Sequence, residues 1–563
     1  MVSFSRILSA ERFLFLKLLL AWFALNILQA AFTEIGNDEA YYWIYSQYLA
    51  WGYYDHPPMV GLVIYLGTLL FDGELGVRFF TALIQLPFLL IIFKLIDAEP
   101  TKKAIWLFFT VAFSVVMIQA YGFISAPDGP MLLFAALFLL AYKRFIERDS
   151  TGNILLLGLS MALMLYSKYH GVLFIGFVVL SNLRLLLNYK FYISGVFALA
   201  LLSPHIAWQV NNGFPSISYH LFQRSSFFHL DYFLEFLANQ LAVFNPLTLG
   251  ALFYVLFKRK AHDLFERALV FIIVGFFVFF TLSNFKGYVN PHWTVALSIA
   301  LVILVVREAL VNEKLSRFTV KWIAPSLVLL MVARFFLIFD ILPIKTEWHG
   351  HKQRMLSLKE VVNETPLVVF NQFQLPSKYM FYAQQPVHSL GGVRYRDTQF
   401  DIWQFDEQFR NDTVMVLSSS QNKHATRYSK NGYDFFLTKV SDFQPYKNIK
   451  VQVDTASIAF VAGETVQLPI RIFNTYGHNF NFSHSTMPVS FTVVFNNSYK
   501  VFKTTKATAE LSTIVLAPNE STEGILSFSI PSNYSGEYKM WVCLKAPNFI
   551  ETTATPYIQV NVK

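Results

Sequence analysis

The chain has one cysteine, Cys543, in 563 residues. That excludes an internal disulfide and any cysteine-based metal cluster. Charge is scarce as well: Asp, Glu, Lys and Arg together make up 14% of the chain, against 55% hydrophobic and 17% aromatic residues. This balance excludes disorder and fits a chain that crosses a membrane many times. There is no Gly-rich dinucleotide fingerprint, no Walker loop and no HExxH, and there is no internal repeat or low-complexity segment. The most telling absence is local. Between Phe32 and Gly76 there is no Lys or Arg, although the segment carries Glu34, Asp38, Glu39, Asp55, Asp72 and Glu74 and is crowded with Tyr and Trp. An uncompensated acidic, aromatic loop at a membrane surface is costly unless something uses it.

The net charge of +9 raises the question of nucleic acid. The Lys and Arg cluster in short loops between apolar runs, a pattern that positive-inside bias explains better than a binding stripe. No nucleic-acid partner is expected. Apolar stretches long enough to span lie near 13–32, 76–97, 104–123, 130–146, 152–167, 171–188, 190–208, 237–257, 264–283, 291–311 and 319–341. The first is read as a retained signal anchor, because no small-x-small cleavage site follows it. The stretch 58–71 has a length that suits a re-entrant or interfacial helix. With it left out, the inner loops hold most of the Lys and Arg, and the outer loops hold only Arg78, Lys168, Arg224 and Lys286. Counting it as a span inverts the bias. Eleven spans are therefore predicted, with the N-terminus inside and the C-terminus outside.

After about Leu342 hydropathy falls. Residues 343–445 mix polar and apolar segments such as Pro366–Phe370 and Thr413–Leu417, and a small extracytoplasmic α/β domain is predicted. Residues 446–563 alternate short β-rich runs (VQLPIRIF, VSFTVVF, EGILSFSI, YKMWVCL) with Asn, Gly, Pro and Ser turns. That spacing predicts an immunoglobulin-like β-sandwich. The expected parts are thus a membrane domain over 1–342, an α/β domain over 343–445 and a sandwich over 446–563.

Five groups could carry chemistry, and all fall on the predicted outer face. Asp38 and Glu39, in GNDEAYYW, suit a general base at the membrane surface. They equally suit the first turn of a helix capped by Asn37, where acids complement the dipole. Asp55 and His56 precede Pro57-Pro58, a turn that ends a helix and aims both side chains away from it. Asp128 sits in a Pro-Asp-Gly-Pro turn. Lys168, Tyr169 and His170 follow span 5, where a Lys may be expected simply to snorkel. Tyr288, Asn290, His292 and Trp293 precede span 10, where they also suit an aromatic belt. A lipid-linked phosphate needs a cation, and the candidates are Lys168, Arg224, Lys286 and the nearby histidines. The outer acids could hold a divalent ion, but no ligand spacing compels it. An enzyme on the outer face has no access to cytoplasmic nucleotide sugars, so its donor must cross the membrane on a lipid.

NDEAYYWIYSQYLAWGYYDHPPMVG, APDGPMLLF, YSKYHGVLF and YVNPHW together resemble the polytopic GT-C glycosyltransferases. The nearest group is the bacterial family of dolichyl-phosphate-mannose-protein mannosyltransferase type, which includes the lipid A aminoarabinose transferase and the lipopolysaccharide galacturonosyl transferases. The resemblance covers roughly residues 10–410, with QFDIWQ (Gln399–Gln404) as a further family element. It implies a GT-C membrane fold, an undecaprenyl-phosphate sugar donor, a glycolipid acceptor and inverting transfer. It also implies Asp38 as the catalytic carboxylate, Glu39 as its motif neighbour and Asp128 as the second outer acid. The aminoarabinose transferase has Glu-Lys-Pro where this chain has Asp55-His56-Pro57-Pro58, a difference closer to the galacturonosyl branch. Two other classes were weighed: a transporter or flippase for a lipid-linked sugar, which needs polar residues inside the spans, where Gln119 and Arg334 are the exceptions; and an anchoring protein, for which eleven spans are excessive. A protein O-mannosyltransferase-like enzyme is the alternative within the family.

Overall fold

The structure, a computed structural model, describes residues 9–220, 229–419, 422–454, 457–497, 501–509 and 514–563. The chain divides into two compact units between His349 and Gly350. The first is helical: α1 (Ala10–Phe32), α2 (Asn37–Gln47), α3 (Met59–Thr68), α4 (Gly73–Ile96), α5 (Lys102–Ser114), α6 (Val116–Ala120), α7 (Asp128–Glu147), α8 (Thr151–Ser167), α9 (Gly171–Ser181), α10 (Tyr189–Asn211), α11 (Pro215–Ser218), α12 (Leu230–Phe244), α13 (Pro246–Lys258), α14 (Leu264–Ser283), α15 (Ser298–Val311), α16 (Glu313–Phe318) and α17 (Ala324–Ile338). Among the described residues, seven helices are long and apolar enough to cross a membrane, or eight if the bent pair α12–α13 is one span. Each of the eleven predicted stretches is helical. The shortfall comes from breaks and short helices: α8 has 17 residues, α9 has 11, and α5 stops at 13 before the Val115 break.

The break between α12 and α13 has a local cause. Asn245 adopts φ 66°, its side chain caps the Leu247 N–H at 3.0 Å, and Pro246 opens the next helix. The chain turns by 97° there, where the sequence suggested one continuous span. The short apolar stretch predicted to be re-entrant is α3, ten residues packed on α4. Gly67 and Gly76 make that contact possible: a Cβ at Gly67 would collide with the Gly76 carbonyl, and one at Gly76 with the Phe71 carbonyl. Gly67→Ala is therefore expected to destabilise the helical unit by about 1–3 kcal/mol through overpacking. Thermal unfolding of the purified chain checks this; an unchanged midpoint counts against the close approach.

Ion pairs gather the basic loops at one end of the bundle. Lys143 meets Asp97 at 2.7 Å and Lys190 meets Asp149 at 2.9 Å. Glu266 accepts from Arg259 at 2.6 Å and from Arg307 at 3.0 Å. Arg307 also donates to the Leu95 and Ile96 carbonyls at the C-terminal end of α4, where a cation complements the dipole. Arg334, noted above as an intramembrane exception, is buried on α17. Its guanidinium donates to Asn26, Gln29 and Gln119 and lies between the rings of Trp22 and Phe123. It is satisfied inside the bundle rather than lining a path.

Among the described residues the second unit contains three sheets. The first, with α18 (His351–Val362), α19 (Gln374–Ala383) and α20 (Gln399–Trp403), orders β1 (Leu367–Phe370), β2 (Val387–Leu390), β3 (Val414–Ser418), β4 (Thr426–Lys430) and β5 (Tyr433–Val440) as β2-β1-β3-β5-β4. β1 is parallel to both β2 and β3. The strands that follow are β6 (Ile449–Gln452), β7 (Ser457–Phe460), β8 (Thr465–Asn474), β9 (Phe480–Asn481), β10 (Ser490–Asn497), β11 (Val501–Ala509), β12 (Val515–Leu516), β13 (Ser521–Ser529), β14 (Gly536–Lys545), β15 (Thr552–Thr553) and β16 (Ile558–Val562); β9 and β12 pair as a separate two-stranded sheet, and the others form the second, nine-stranded one. β6-β8-β13 and β10-β14-β16-β7 are joined by β11, which pairs with β10 through its first half and with β13 through its second. Alternating residues such as Leu468, Ile470, Leu526 and Phe528 meet Val493, Phe495, Met540 and Val542 in the interior, the arrangement of a sandwich. That core continues to Val368, Val414 and Val416 of the first sheet.

Candidate functional site

The site is built where α1 ends. Thr33–Gly36 run extended, and α2 begins at Asn37 with Gly36 in the capping position. The expected cap, Asn37, is the first helical residue instead. The Glu39 side chain reaches back to the Gly36 N–H at 2.9 Å, the carboxylate half of a capping box. Glu39 also accepts the Ser125 N–H at 2.9 Å and a two-point fork from Arg78, Nε at 2.7 Å and Nη2 at 2.5 Å. The remaining Arg78 donors go to the carbonyls of Ala30, Thr33 and Glu34. Both partners are fully buried. Glu39 is thereby committed to tying the end of α1, the start of α2, α4 and the loop at Ser125 together.

Asp38, one residue earlier, is exposed. Tyr42, one turn further along α2, is buried, and its hydroxyl pairs with His56 Nε2 at 3.1 Å. Burial first, then the nearby carboxylates of Asp38, Asp55 and Asp128, push the Tyr42 phenol well above its usual value. It stays a phenol, able to donate. Three acids widely separated in sequence thus converge on one ring. Tyr121 hydrogen-bonds Asp128 and lies within electrostatic range of Asp38, which extends the same cluster.

Asp128 opens α7 and Lys168 follows α8. The Lys168 ammonium donates to both Asp128 oxygens, at 2.7 and 2.8 Å, and both side chains are at most 5% exposed. The structure brings these two site candidates together as one buried ion pair. Lys168→Met is expected to strand a buried carboxylate and cost about 3–5 kcal/mol. Asp128→Asn in that background should recover most of the loss, as read by thermal unfolding. An unfolding midpoint that Lys168→Met leaves in place would contradict the pairing.

Histidines gather beside this pair. His170, at the turn into α9, packs on Trp293 at 4.8 Å and Phe280 at 5.3 Å. Burial, then the charge of Lys168 and the neighbouring His220, His292 and His56, push its imidazole well below the usual value. His220 Nε2 pairs with the Asp55 carbonyl at 3.2 Å. The Tyr169 hydroxyl meets His205 Nε2 at 3.2 Å and accepts from Gln209 at 2.9 Å. Asn290 starts the turn that carries His292 and Trp293, its carbonyl accepting the Trp293 N–H at 3.1 Å. Lys286 is exposed in the turn Asn284–Lys286, with no ion pair to this cluster. Arg224 lies outside the described residues. Among the described residues no group of three or more His, Cys, Asp or Glu is arranged to hold a metal ion.

The aromatic residues of the loop pack on one another. Tyr45 and Tyr53 stack at 3.9 Å, and Tyr53 donates to the Tyr45 carbonyl at 2.9 Å. Burial pushes the Tyr53 hydroxyl up to about 12. Most of the rings are internal, with Tyr48 and Trp51 exposed, so an interfacial belt explains only a minority. Tyr42, Tyr121 and His220 were not singled out from sequence. Tyr42 carried a usable signal, its spacing of four from Asp38 on a helix face; His220 and Tyr121 carried none, because only packing brings them in.

An acidic, histidine-rich cluster thus lies at one end of a helical bundle, under a loop pinned by a buried Arg–Glu fork. Residues 55–208 match the family model described as dolichyl-phosphate-mannose-protein mannosyltransferase. The lipid A galacturonosyltransferase RgtD of Rhizobium johnstonii is 27% identical over 296 residues, 49% of this chain and 60% of that protein's length. The fold is that of ArnT from Cupriavidus metallidurans. The ArnT structure bound to undecaprenyl phosphate superposes with a TM-score of 0.54 at 15% identity, covering 76% of this chain and 98% of that one. The apo form gives 0.52 at 14%, covering 75% and 97%. The chain is thus a multi-pass membrane protein of GT-C fold, similar to lipid A transferases.

Proposed function

We propose that this chain is an integral membrane glycosyltransferase. It moves a sugar from an undecaprenyl-phosphate donor to lipid A or the lipopolysaccharide core, on the outer face of the bacterial inner membrane. One observation carries the reading. Asp38 is exposed at the start of α2, and Asp38, Asp55 and Asp128 all lie within electrostatic range of the buried Tyr42 phenol. Asp38 accepts the proton of an acceptor hydroxyl, whose oxygen attacks the anomeric carbon. The bond from that carbon to the phosphate oxygen breaks, and its electron pair leaves with the lipid phosphate, with inversion. Since Arg78 and Lys168 are already neutralised, charge on the departing phosphate falls to Lys286, Arg224 and the histidines His56 and His292.

The gathering of the basic loops at one bundle end supports an orientation with those loops inside. The cluster and residues 343–445 and 446–563 then lie outside, after eleven passes. The name of RgtD and the ligand of ArnT support the donor and acceptor classes. The description of the matching family model favours one other acceptor, a protein hydroxyl. Mass spectrometry of envelope glycolipids with and without this chain separates the two. Loss of one sugar mass from lipid A or core supports the proposal; unchanged glycolipids with altered protein glycans overturn it.

A further inference from the structure

The sandwich carries a feature that sugar transfer in the helical unit does not use. On β10 and β14, Val493, Phe495, Met540 and Val542 point inward, so Val494, Asn496, Lys539 and Trp541 lie on the other face; Val494 there is buried, while Asn496 and Trp541 are half-buried and Lys539 is exposed. The pairing sets Asn496 opposite Lys539 and Lys539 opposite Gln559, with Phe502 beyond Asn496. At about 4.8 Å between strands, this row is amide, ammonium, amide across one sheet face. Beside it lie three rings: Phe502 to Trp541 is 6.3 Å and Trp541 to Tyr557 is 6.4 Å. Tyr557 is 55% exposed. Cations border the rings, with the Lys539 ammonium 4.7 Å from the Tyr557 centroid and the Arg394 guanidinium 5.8 Å from that of Phe502. Lys506 points the same way on β11. Neither Lys506 nor Lys539 forms an ion pair with a carboxylate among the described residues, while Arg394 lies within electrostatic range of Glu551, which Lys545 holds at 2.6 Å. Glu537 is the acid on the outward side of β14.

We propose that this face binds an acidic oligosaccharide of the cell envelope. A sugar ring offers an apolar C–H face to an exposed aromatic ring, and paired hydroxyls to side-chain amides. A uronate carboxylate or phosphate substituent takes a charge-assisted bond from Lys539 or Arg394. The ammonium groups of Lys506 and Lys539 select an acidic rather than a neutral glycan, and the rigid sheet fixes the spacing of the groups.

The test uses the full chain in detergent micelles, titrated with oligogalacturonate and, separately, with a neutral dextran oligomer and with anionic lipid vesicles. Oligogalacturonate should bind, less tightly as salt rises, and Tyr557→Ala with Trp541→Ala should weaken it about tenfold or more. Lys539→Gln, a surface change that cannot unfold the sheet, should weaken oligogalacturonate and leave sugar transfer unchanged. Binding that survives all three substitutions overturns the proposal. So does equal affinity for dextran, or binding to vesicles alone. Transfer activity reports on the catalytic reading separately, so failure of either is recognisable.

Discussion

Asp38→Asn should abolish measurable sugar transfer while leaving the chain folded. Asp38 is exposed in the first turn of α2, so an amide of nearly the same size there opens no cavity. Removal of a general base typically costs 10²- to 10⁴-fold. We expect a fall in kcat of about a thousandfold, equivalent to about 4 kcal/mol of barrier, with little change in KM. The assay is transfer from an undecaprenyl-phosphate sugar to lipid A by the purified chain, with insertion and unfolding midpoint matched to wild type. Wild-type turnover by the variant would remove Asp38 from the mechanism. Glu39→Gln provides the contrast, because its acceptors are tied to Arg78, Gly36 and Ser125. It should lower stability first, with activity following the folded fraction.

Arg78→Met should be the most damaging single change to the helical unit. The side chain is 0% exposed and supplies donors to both Glu39 oxygens and to three backbone carbonyls. Without it a carboxylate stays buried beside unsatisfied carbonyls, a loss of about 3–5 kcal/mol. Arg78→Lys should fail to rescue, since one ammonium cannot reproduce a planar fork spread over five acceptors. Thermal unfolding in detergent reads both variants. Full stability with Lys would mean that the charge alone matters. Activity should fall with stability, because the extended stretch that Arg78 holds is what sets Asp38 at the start of α2.

Much of the fold was legible because it is written in periodicity and composition. All eleven apolar stretches are helices, α3 is short as its length required, and the C-terminal runs are strands. The 97° turn at Asn245–Pro246 was missed: the apolar pattern runs through it, and its cause is one left-handed backbone angle and one proline. In the site, the sequence singled out Asp38, Glu39 and Asp128 but not their surroundings. Glu39 and Asp38 are adjacent and chemically alike, yet one is buried under a guanidinium and the other is exposed.

The amino-acid sequence by itself determined that this chain crosses a membrane many times, ends in a β-rich region and presents acids on a loop without cations. Those properties are sums over neighbouring residues, so they survive without coordinates. The tertiary structure alone decided which carboxylates are buried against cations. Glu39 meets Arg78 across 39 residues and Asp128 meets Lys168 across 40. Buried charges must find opposite charges wherever the fold places them, and no local pattern encodes that meeting.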